Sequence, residues 1–173
     1  MDTKRSVNSR GATSRKPMEQ PLNVSTQSDR APSPVASPAM RVGDVMTRKL
    51  VTLSPHHTFG EAVQLMSNHR FRHFLVLHAD GKLAGVFSDR DVLRALGRTP
   101  NWQAKTVSGV MTHNVVTVKP DALLSVAATE MIKRRINCLP VIGEDGKVCG
   151  IITSTDLLVT YQKLQEKLEL GGR

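Results

Sequence analysis

The sequence has few of the residues that mark membrane-spanning or disulfide-bonded proteins. No apolar run approaches the roughly 20 residues that a membrane-spanning helix needs, and the N-terminus lacks the apolar core of an export signal. The 173 residues include only two cysteines, Cys138 and Cys149, too few for a disulfide framework. These absences predict a soluble protein of the reducing cytoplasm.

The sequence also lacks a recognisable catalytic or metal-binding set. It contains no P-loop, no Ser/His/Asp set and no paired carboxylates suited to acid–base chemistry. Of its six histidines, only His69 and His73 have the i, i+4 spacing of a helical metal pair, and a strand is predicted to begin between them. We therefore expect no catalytic residue, no metal and no enzyme activity.

Charge of one sign is abundant: 24 Lys and Arg face 15 Asp and Glu, a formal net charge of +9. Such a chain could attract nucleic acid, an anionic membrane or phosphorylated small molecules, and charge alone does not choose among them. The basic run 133–135 could attract phosphates or acidic partners, but a charge run at a helix end is more often a solvated terminus.

Residues 1–39 are rich in Ser, Thr, Pro, Asn, Gln and Arg and show no apolar periodicity. They contain too little apolar surface to offset the entropy of ordering, so we predict a disordered basic tail. An inert extension and a weak arm for nucleic acid or a protein partner both fit this composition.

A seven-residue stretch occurs twice, as GVFSDRD at 85–91 and GIITSTD at 150–156, 65 residues apart. The same offset aligns 42–95 with 107–160 without a gap, which indicates an internal duplication. Identical aligned pairs include Met46/Met111, Thr47/Thr112, Pro55/Pro120, Met66/Met131, Asp80/Asp145, Gly85/Gly150 and Asp91/Asp156. We predict a first domain at 40–98, a linker at 99–106, a second domain at 107–162 and a helical extension at 163–173.

Each repeat has the pattern of a β-α-β-β-α unit, so the predicted fold class is α/β (α+β). Strands are predicted at 50–53, 73–77, 82–87, 115–118 and 148–152, with Asp-Gly turns at 80–81 and 145–146. Thr58 and Glu61 have capping-box spacing at a helix start. Since each repeat alone has little apolar surface, the halves should pack on each other.

The repeated stretch combines a hydroxyl residue with an aspartate three residues later, Ser88 with Asp91 and Thr153 with Asp156. This spacing is that of a capping box, which satisfies free amides at a helix start. A strand-to-helix turn with free amides also attracts anions. A carboxylate there can accept hydrogen bonds from the vicinal hydroxyls of a ribose, so the pattern favours a sugar-phosphate site, and both roles can coexist.

The duplication, the VMTxxxVT strand starts, the DGK hairpins and the paired Gly-apolar-apolar-Ser/Thr-x-x-Asp stretches resemble a tandem pair of CBS domains, a Bateman module, over about 42–161. The resemblance implies two clefts that bind AMP, ADP, ATP or a related adenosyl ligand such as S-adenosylmethionine, as a regulatory ligand rather than a cofactor. It also implies a role in regulation such as energy sensing. By this resemblance the residues have three roles: phosphate binding by Ser88 and Thr153, ribose binding by Asp91 and Asp156, and base contact by Val51, Val116, Phe71, His73, Ile136, Cys138 and Pro140.

The two copies differ. The first has Arg90 beside its motif, a cation that could pair with phosphate, and the bulkier Phe71 and His73 where the second has Ile136 and Cys138. We therefore expect the second site to be the more open. The rival hypothesis is a ligand-independent module that binds protein or nucleic acid.

The last helix carries a narrow apolar stripe, formed by Leu157, Tyr161, Leu164 and Leu168. A second subunit could bury this stripe, and so could the domain's own core. We expect a homodimer and a further protein partner.

Overall fold

A computed structural model describes residues 39–69, 71–98 and 101–171. The predicted tail, 1–39, lies outside these residues apart from Ala39. The helices and strands of the first repeat are α1 (Val42–Val45), β1 (Thr52–Leu53), α2 (Phe59–His69), β2 (His73–Leu77), β3 (Leu83–Ser88) and α3 (Asp89–Arg98). Those of the second are α4 (Leu124–Arg134), β4 (Cys138–Ile142), β5 (Val148–Thr153) and α5 (Ser154–Gly171), and short 3-10 helices lie at Trp102–Ala104 and Val107–Gly109.

The local turn and capping predictions are confirmed. Gly81 and Gly146 adopt φ of +82° and +76° in the two hairpins, a conformation that glycine reaches without strain. At the start of α2, the Thr58 N–H donates to Glu61 Oε2 at 2.7 Å and the Glu61 N–H donates to Thr58 Oγ1 at 3.2 Å. The two glycines thus allow both hairpin turns, and the Thr58–Glu61 contacts cap the start of α2.

The two repeats differ in their first strand. In the first repeat β1 runs parallel to β2, which pairs antiparallel with β3. In the second, β4 pairs with β5, but the strand predicted at 115–118 is reduced to one parallel bridge between Val118 and Val141. The Pro140 carbonyl accepts a hydrogen bond from the Val118 N–H at 3.0 Å. In a parallel pair, a residue at this position would also donate its own N–H to the same neighbouring segment. Because proline has no N–H, the next ladder bond is missing.

The repeats exchange their leading segments. The N–H of Val42 donates to Ala122 O at 2.9 Å, and the equivalent N–H of Val107 donates to His57 O at 2.8 Å. Val42 is buried in the core of the second repeat and Val107 in that of the first. Each core therefore contains a residue from the other half, and the halves interlock.

A third apolar cluster joins the two sheets. It consists of the buried side chains Leu75, Val86, Cys138 and Ile151. Backbone bridges flank it, from Thr47 to Ile151 and from Thr112 to Val86, and the 65-residue offset converts one bridge into the other. The described part of the chain thus has an internal pseudo-twofold arrangement. None of its described helices is long and apolar enough to cross a membrane.

Candidate functional site

Both copies of the repeated motif lie at a strand-to-helix junction. Ser88 ends β3 and Thr153 ends β5, and the aspartates lie in the first turns of α3 and α5. Asp156 Oδ2 accepts the Thr153 N–H at 2.7 Å and its hydroxyl at 2.6 Å, and Asp91 Oδ2 accepts the same groups of Ser88 at 2.8 and 2.7 Å. The capping role is confirmed, and it occupies one carboxylate oxygen in each copy.

The other oxygen distinguishes the two aspartates. Asp91 Oδ1 lies 3.1 Å from Arg94 Nη1 and accepts the Thr112 hydroxyl at 3.3 Å, and the residue is only 1% exposed. For Asp156 Oδ1, no hydrogen bond is recorded from any residue that the structure describes. Asp156 is half-buried and lines a cavity, so its second oxygen can accept hydrogen bonds from a ligand.

We call that cavity, of about 360 Å³, the Asp156 cleft. The second repeat contributes Thr153 and Asp156, and the first contributes an apolar wall. The wall contains Val51, Phe71, His73 and Leu75. The volume lies within the range of small-molecule sites.

A second cavity of about 380 Å³, the Arg90 cleft, has the reverse composition. Ser88 and Arg90 come from the first repeat, and Val116, Ile136 and Cys138 come from the second. Each cleft therefore combines the motif of one repeat with the wall of the other. Phe71 and His73 do not form a bulky pocket beside their own motif, as the sequence comparison assumed, although His73 also borders the Arg90 cleft.

Two of the predicted site residues do not line the clefts in this structure. Pro140 is fully buried within β4, and its carbonyl bonds to Val118. Asp91 lies behind Arg94 and is absent from the lining of the Arg90 cleft. The remaining candidates, Ser88, Arg90, Thr153, Asp156, Val51, Val116, Phe71, His73, Ile136 and Cys138, line one cleft or the other.

Charge is distributed unequally between the clefts. Lys49, Arg72 and Asp156 line the Asp156 cleft, whereas Arg90, Arg94 and Arg134 line the Arg90 cleft. Sequence reasoning missed Arg94, and for the run containing Arg134 it favoured a solvated helix end over attraction of phosphates. The i, i+3 spacing of Asp91 and Arg94 was the available signal, since such residues are neighbours on a helix.

Asp89, an acidic residue next to Arg90 in the first copy, lies outside both linings. Although burial opposes ionisation, the Arg72 guanidinium, 2.9 Å away, holds the pKa of Asp89 below its usual value. The two charges offset each other, so Asp89 adds little repulsion to the Arg90 cleft.

His73 and Cys138 line the clefts as uncharged groups. Burial lowers the pKa of the His73 imidazole, which favours its neutral form at neutral pH, and burial raises the pKa of the Cys138 thiol to about 12. His69 lies on α2 and stacks on Phe71, with ring centroids 5.5 Å apart. Among the described residues no cluster of His, Cys, Asp and Glu could hold a metal ion.

The family model of the CBS domain matches the sequence at residues 42–98 and 107–163, which are the two repeats. The chain belongs to the CBS-domain family. A proposed acetoin utilization protein of Vibrio cholerae shares the fold with 36% identity and a TM-score of 0.69, over 76% of this chain and 96% of that chain.

Solved CBS pairs similar to this chain hold adenosyl ligands. The CBS domain pair of protein MJ0100, solved with 5′-methylthioadenosine and S-adenosyl-L-methionine, is 28% identical with a TM-score of 0.67, over 73% of this chain and 98% of that one. CBSX2, solved with AMP, is 26% identical with a TM-score of 0.66, over 72% and 98%. These are ligands of those proteins.

Some curated relatives are larger enzymes. L-aspartate semialdehyde sulfurtransferase and inosine-5′-monophosphate dehydrogenase of Methanocaldococcus jannaschii are each 30% identical, over 72% and 77% of this chain. The matches span only 24% and 26% of those proteins. This chain therefore spans about a quarter of the length of these relatives.

Proposed function

We propose that this CBS pair is a regulatory module that binds an adenosyl ligand, such as AMP, ADP, ATP or S-adenosylmethionine, in one or both clefts. The observation that carries this proposal is Asp156, which lines a cavity at the start of α5 while its Oδ2 is held by Thr153. A carboxylate held in this way is oriented before the ligand arrives, which lowers the cost of binding.

In the Asp156 cleft, the ribose hydroxyls would donate to Asp156, and a phosphate would lie at Thr153 and the first amides of α5. The base would contact Val51, Phe71 and His73, which line the same cavity. In the Arg90 cleft, Ser88 and Arg90 would bind phosphate, Asp91 the ribose, and Val116, Ile136 and Cys138 the base.

Because each cleft takes walls from both repeats, a ligand would contact both halves at once. A ligand that prefers one relative arrangement of the halves shifts the population toward it, by as much as its affinities differ. We propose that this shift changes affinity for a partner in a reducing cytoplasm, and that the chain itself performs no reaction.

We also propose a homodimer through α3 and α5. Leu93 on α3 and its equivalent Leu158 on α5 are 71% and 67% exposed, and the next equivalent pair, Leu96 and Tyr161, is exposed as well. The helices thus present the same apolar positions in both repeats. A twofold dimer interface uses the same patch of both subunits, so a second copy is the occupant that this surface fits.

Sedimentation velocity tests the dimer. Leu158→Glu should convert a wild-type dimer to monomer, because it places a charge in the apolar contact. Ile132→Glu, on the exposed face of α4, is the matched control and should leave the dimer intact. A wild-type chain that sediments as a monomer across the micromolar range would overturn the dimer.

Thermal unfolding with AMP, ATP, S-adenosylmethionine or 5′-methylthioadenosine tests ligand binding. A ligand at about 100 times its dissociation constant should stabilise the fold by about 2.7 kcal/mol. If the unfolding temperature stays flat with all four compounds, ligand binding is excluded and the ligand-independent interaction module is favoured.

A further inference from the structure

The Arg90 cleft is lined by more arginine side chains than a single phosphate would occupy, although Arg94 and Arg134 are paired with Asp91 and Glu130. Three guanidinium groups, those of Arg90, Arg94 and Arg134, line it, and the described lining includes no Asp or Glu. The Asp156 cleft, of similar volume, has two cations, Lys49 and Arg72, and a carboxylate. The clefts therefore differ in charge rather than in size.

The extra charge lies at positions where the two repeats differ. At the 65-residue offset, Arg90 and Arg94 correspond to Thr155 and Val159, which are uncharged. The duplication thus supplies similar cavities, and residues outside the repeated pattern make one of them cationic.

The arginines are held near the cleft by contacts that leave further donors for a ligand. Arg90 Nη1 donates to Arg135 O at 3.2 Å, Arg134 Nε donates to Glu130 Oε2 at 2.6 Å, and Arg94 Nη1 pairs with Asp91. A guanidinium has several N–H donors in a planar fork that suits phosphate oxygens. Each of these side chains can therefore keep its contact or exchange it for phosphate.

Arg94 also controls access to Asp91. Its guanidinium lies 3.1 Å from Oδ1 of that carboxylate, which is 1% exposed, whereas the Arg94 side chain itself is 55% exposed. A ribose can reach Oδ1 only if Arg94 turns away. A chain of phosphates offers Arg94 another anionic partner and can draw it from Asp91.

We propose that the Arg90 cleft selects adenosine ligands with two or more phosphates, and that Arg94 determines this selectivity by leaving Asp91 for the phosphate chain. The inference rests on the proposed binding of adenosyl ligands. The Asp156 cleft, whose carboxylate is already accessible, accepts AMP or an uncharged adenosyl ligand without this exchange.

Isothermal titration of the Asp156→Ala chain with AMP, ADP and ATP in magnesium-free buffer measures mainly the Arg90 cleft, because the variant weakens the Asp156 cleft. Affinity should rise with each phosphate, by about tenfold or more from AMP to ATP, as expected for added charge-assisted hydrogen bonds. Inorganic triphosphate should compete with ATP in this variant. It should displace AMP from the Asp156 cleft of the wild type less readily, because that cleft has two cations rather than three and contains a carboxylate.

Adding Arg94→Gln should weaken ATP about tenfold and leave AMP no weaker, because Asp91 becomes accessible as the cation is lost. Arg134→Gln, which leaves the Asp91 network intact, is a second variant in case Arg94→Gln unfolds, and it should also reduce the preference for ATP. Lys49→Gln, in the lining of the other cleft, is the control and should leave the preference unchanged.

The two proposals fail separately. If the wild-type chain binds no adenosyl compound, the proposed function itself is wrong. If the wild type binds AMP but the Asp156→Ala chain binds ATP no more tightly than AMP, or Arg94→Gln leaves their ratio unchanged, the inference about the Arg90 cleft is wrong and the proposed function stands.

Discussion

Gly85 packs directly against the backbone of Thr112, so that a Cβ built on Gly85 would lie 2.6 Å from the Thr112 carbonyl oxygen. At the equivalent Gly150, a Cβ would lie 2.7 Å from Met46 Sδ and 3.1 Å from Thr47 O. Neither glycine has a positive φ, so the backbone conformation does not require glycine at these positions. Glycine is required because a side chain there would collide with the other half. It brings the motif of one repeat beside the other repeat.

Gly85→Ala should lower the free energy of unfolding by about 1–3 kcal/mol, as expected when a methyl group is forced into a packed contact. Gly150→Ala should cost less, because its nearest neighbour is a flexible methionine side chain that can move. Gly97→Ala, on α3 with open space around it, is the control and should be neutral or stabilising. Urea denaturation measures all three, and equal effects would contradict this account.

The exchange of leading segments gives a second prediction. Val42→Ala and Val107→Ala should each destabilise the whole described fold by about 2 kcal/mol, since each removes buried methyl groups from the core of the opposite repeat. Unfolding should remain a single transition in both variants because the cores interlock. Val159→Ala, at an exposed position on α5, should change stability by less than about 0.5 kcal/mol. Separate unfolding of the two repeats would contradict the interlocked arrangement.

The sequence was informative wherever a residue acts on its own neighbours. The bounds of β2, 73–77, were predicted correctly because a short continuous apolar run followed by an Asp-Gly turn specifies a hairpin locally. The strand at 115–118 was wrong because its loss depends on Pro140, which lies on the strand opposite. The apolar pattern of residues 115–118 does not show that the strand opposite lacks a backbone N–H at residue 140.

The composition of the clefts depends on contacts between the repeats. A duplicated sequence is the same whether each motif faces its own wall or the wall of the other copy, so the pairing of Asp156 with Phe71 could not be predicted from the offset. The combination of motif and wall goes with the segments containing Val42 and Val107, each of which crosses to the other half. The ion pair between Asp91 and Arg94 could have been predicted, because Arg94 follows Asp91 by about one helical turn.

His73 gives a prediction for pH. Burial lowers the pKa of its imidazole below the usual value of 6.5, while Asp89 and Asp91 oppose this shift and Arg72 and Arg90 reinforce it. The unfolded chain therefore takes up a proton at higher pH than the folded chain does. The stability that His73 contributes is complete above about pH 6.5 and falls as pH drops toward the folded pKa.

His73→Gln should remove this part of the acid sensitivity, because glutamine does not titrate. The free energy of unfolding, measured in urea from pH 7.5 to 5, should fall less steeply below about pH 6.5 in this variant than in the wild type. Parallel curves for the variant and the wild type would show that burial of His73 does not shift its titration.

The two aspartates should separate stability from binding. Asp91→Ala leaves the Ser88 N–H and the Thr112 hydroxyl without their buried acceptor, so it should lower the free energy of unfolding by about 1–3 kcal/mol. Asp156→Ala removes a half-buried acceptor that caps α5 and faces a cavity. Its cost in stability should be smaller, about 1 kcal/mol, because water can replace the lost contacts.

For binding the order should reverse. Asp156→Ala should weaken AMP about tenfold or more, since it removes the carboxylate proposed to hold the ribose, whereas Asp91→Ala should change AMP affinity little because Arg94 already covers that carboxylate. Titration calorimetry with AMP measures both variants, and Thr155→Ala, which keeps the carboxylate of the Asp156 cleft, serves as the control. If Asp91→Ala weakens AMP more than Asp156→Ala does, the ligand uses the Arg90 cleft first. Arg94 would then have to leave Asp91 for a single phosphate, contrary to the charge selectivity proposed for that cleft.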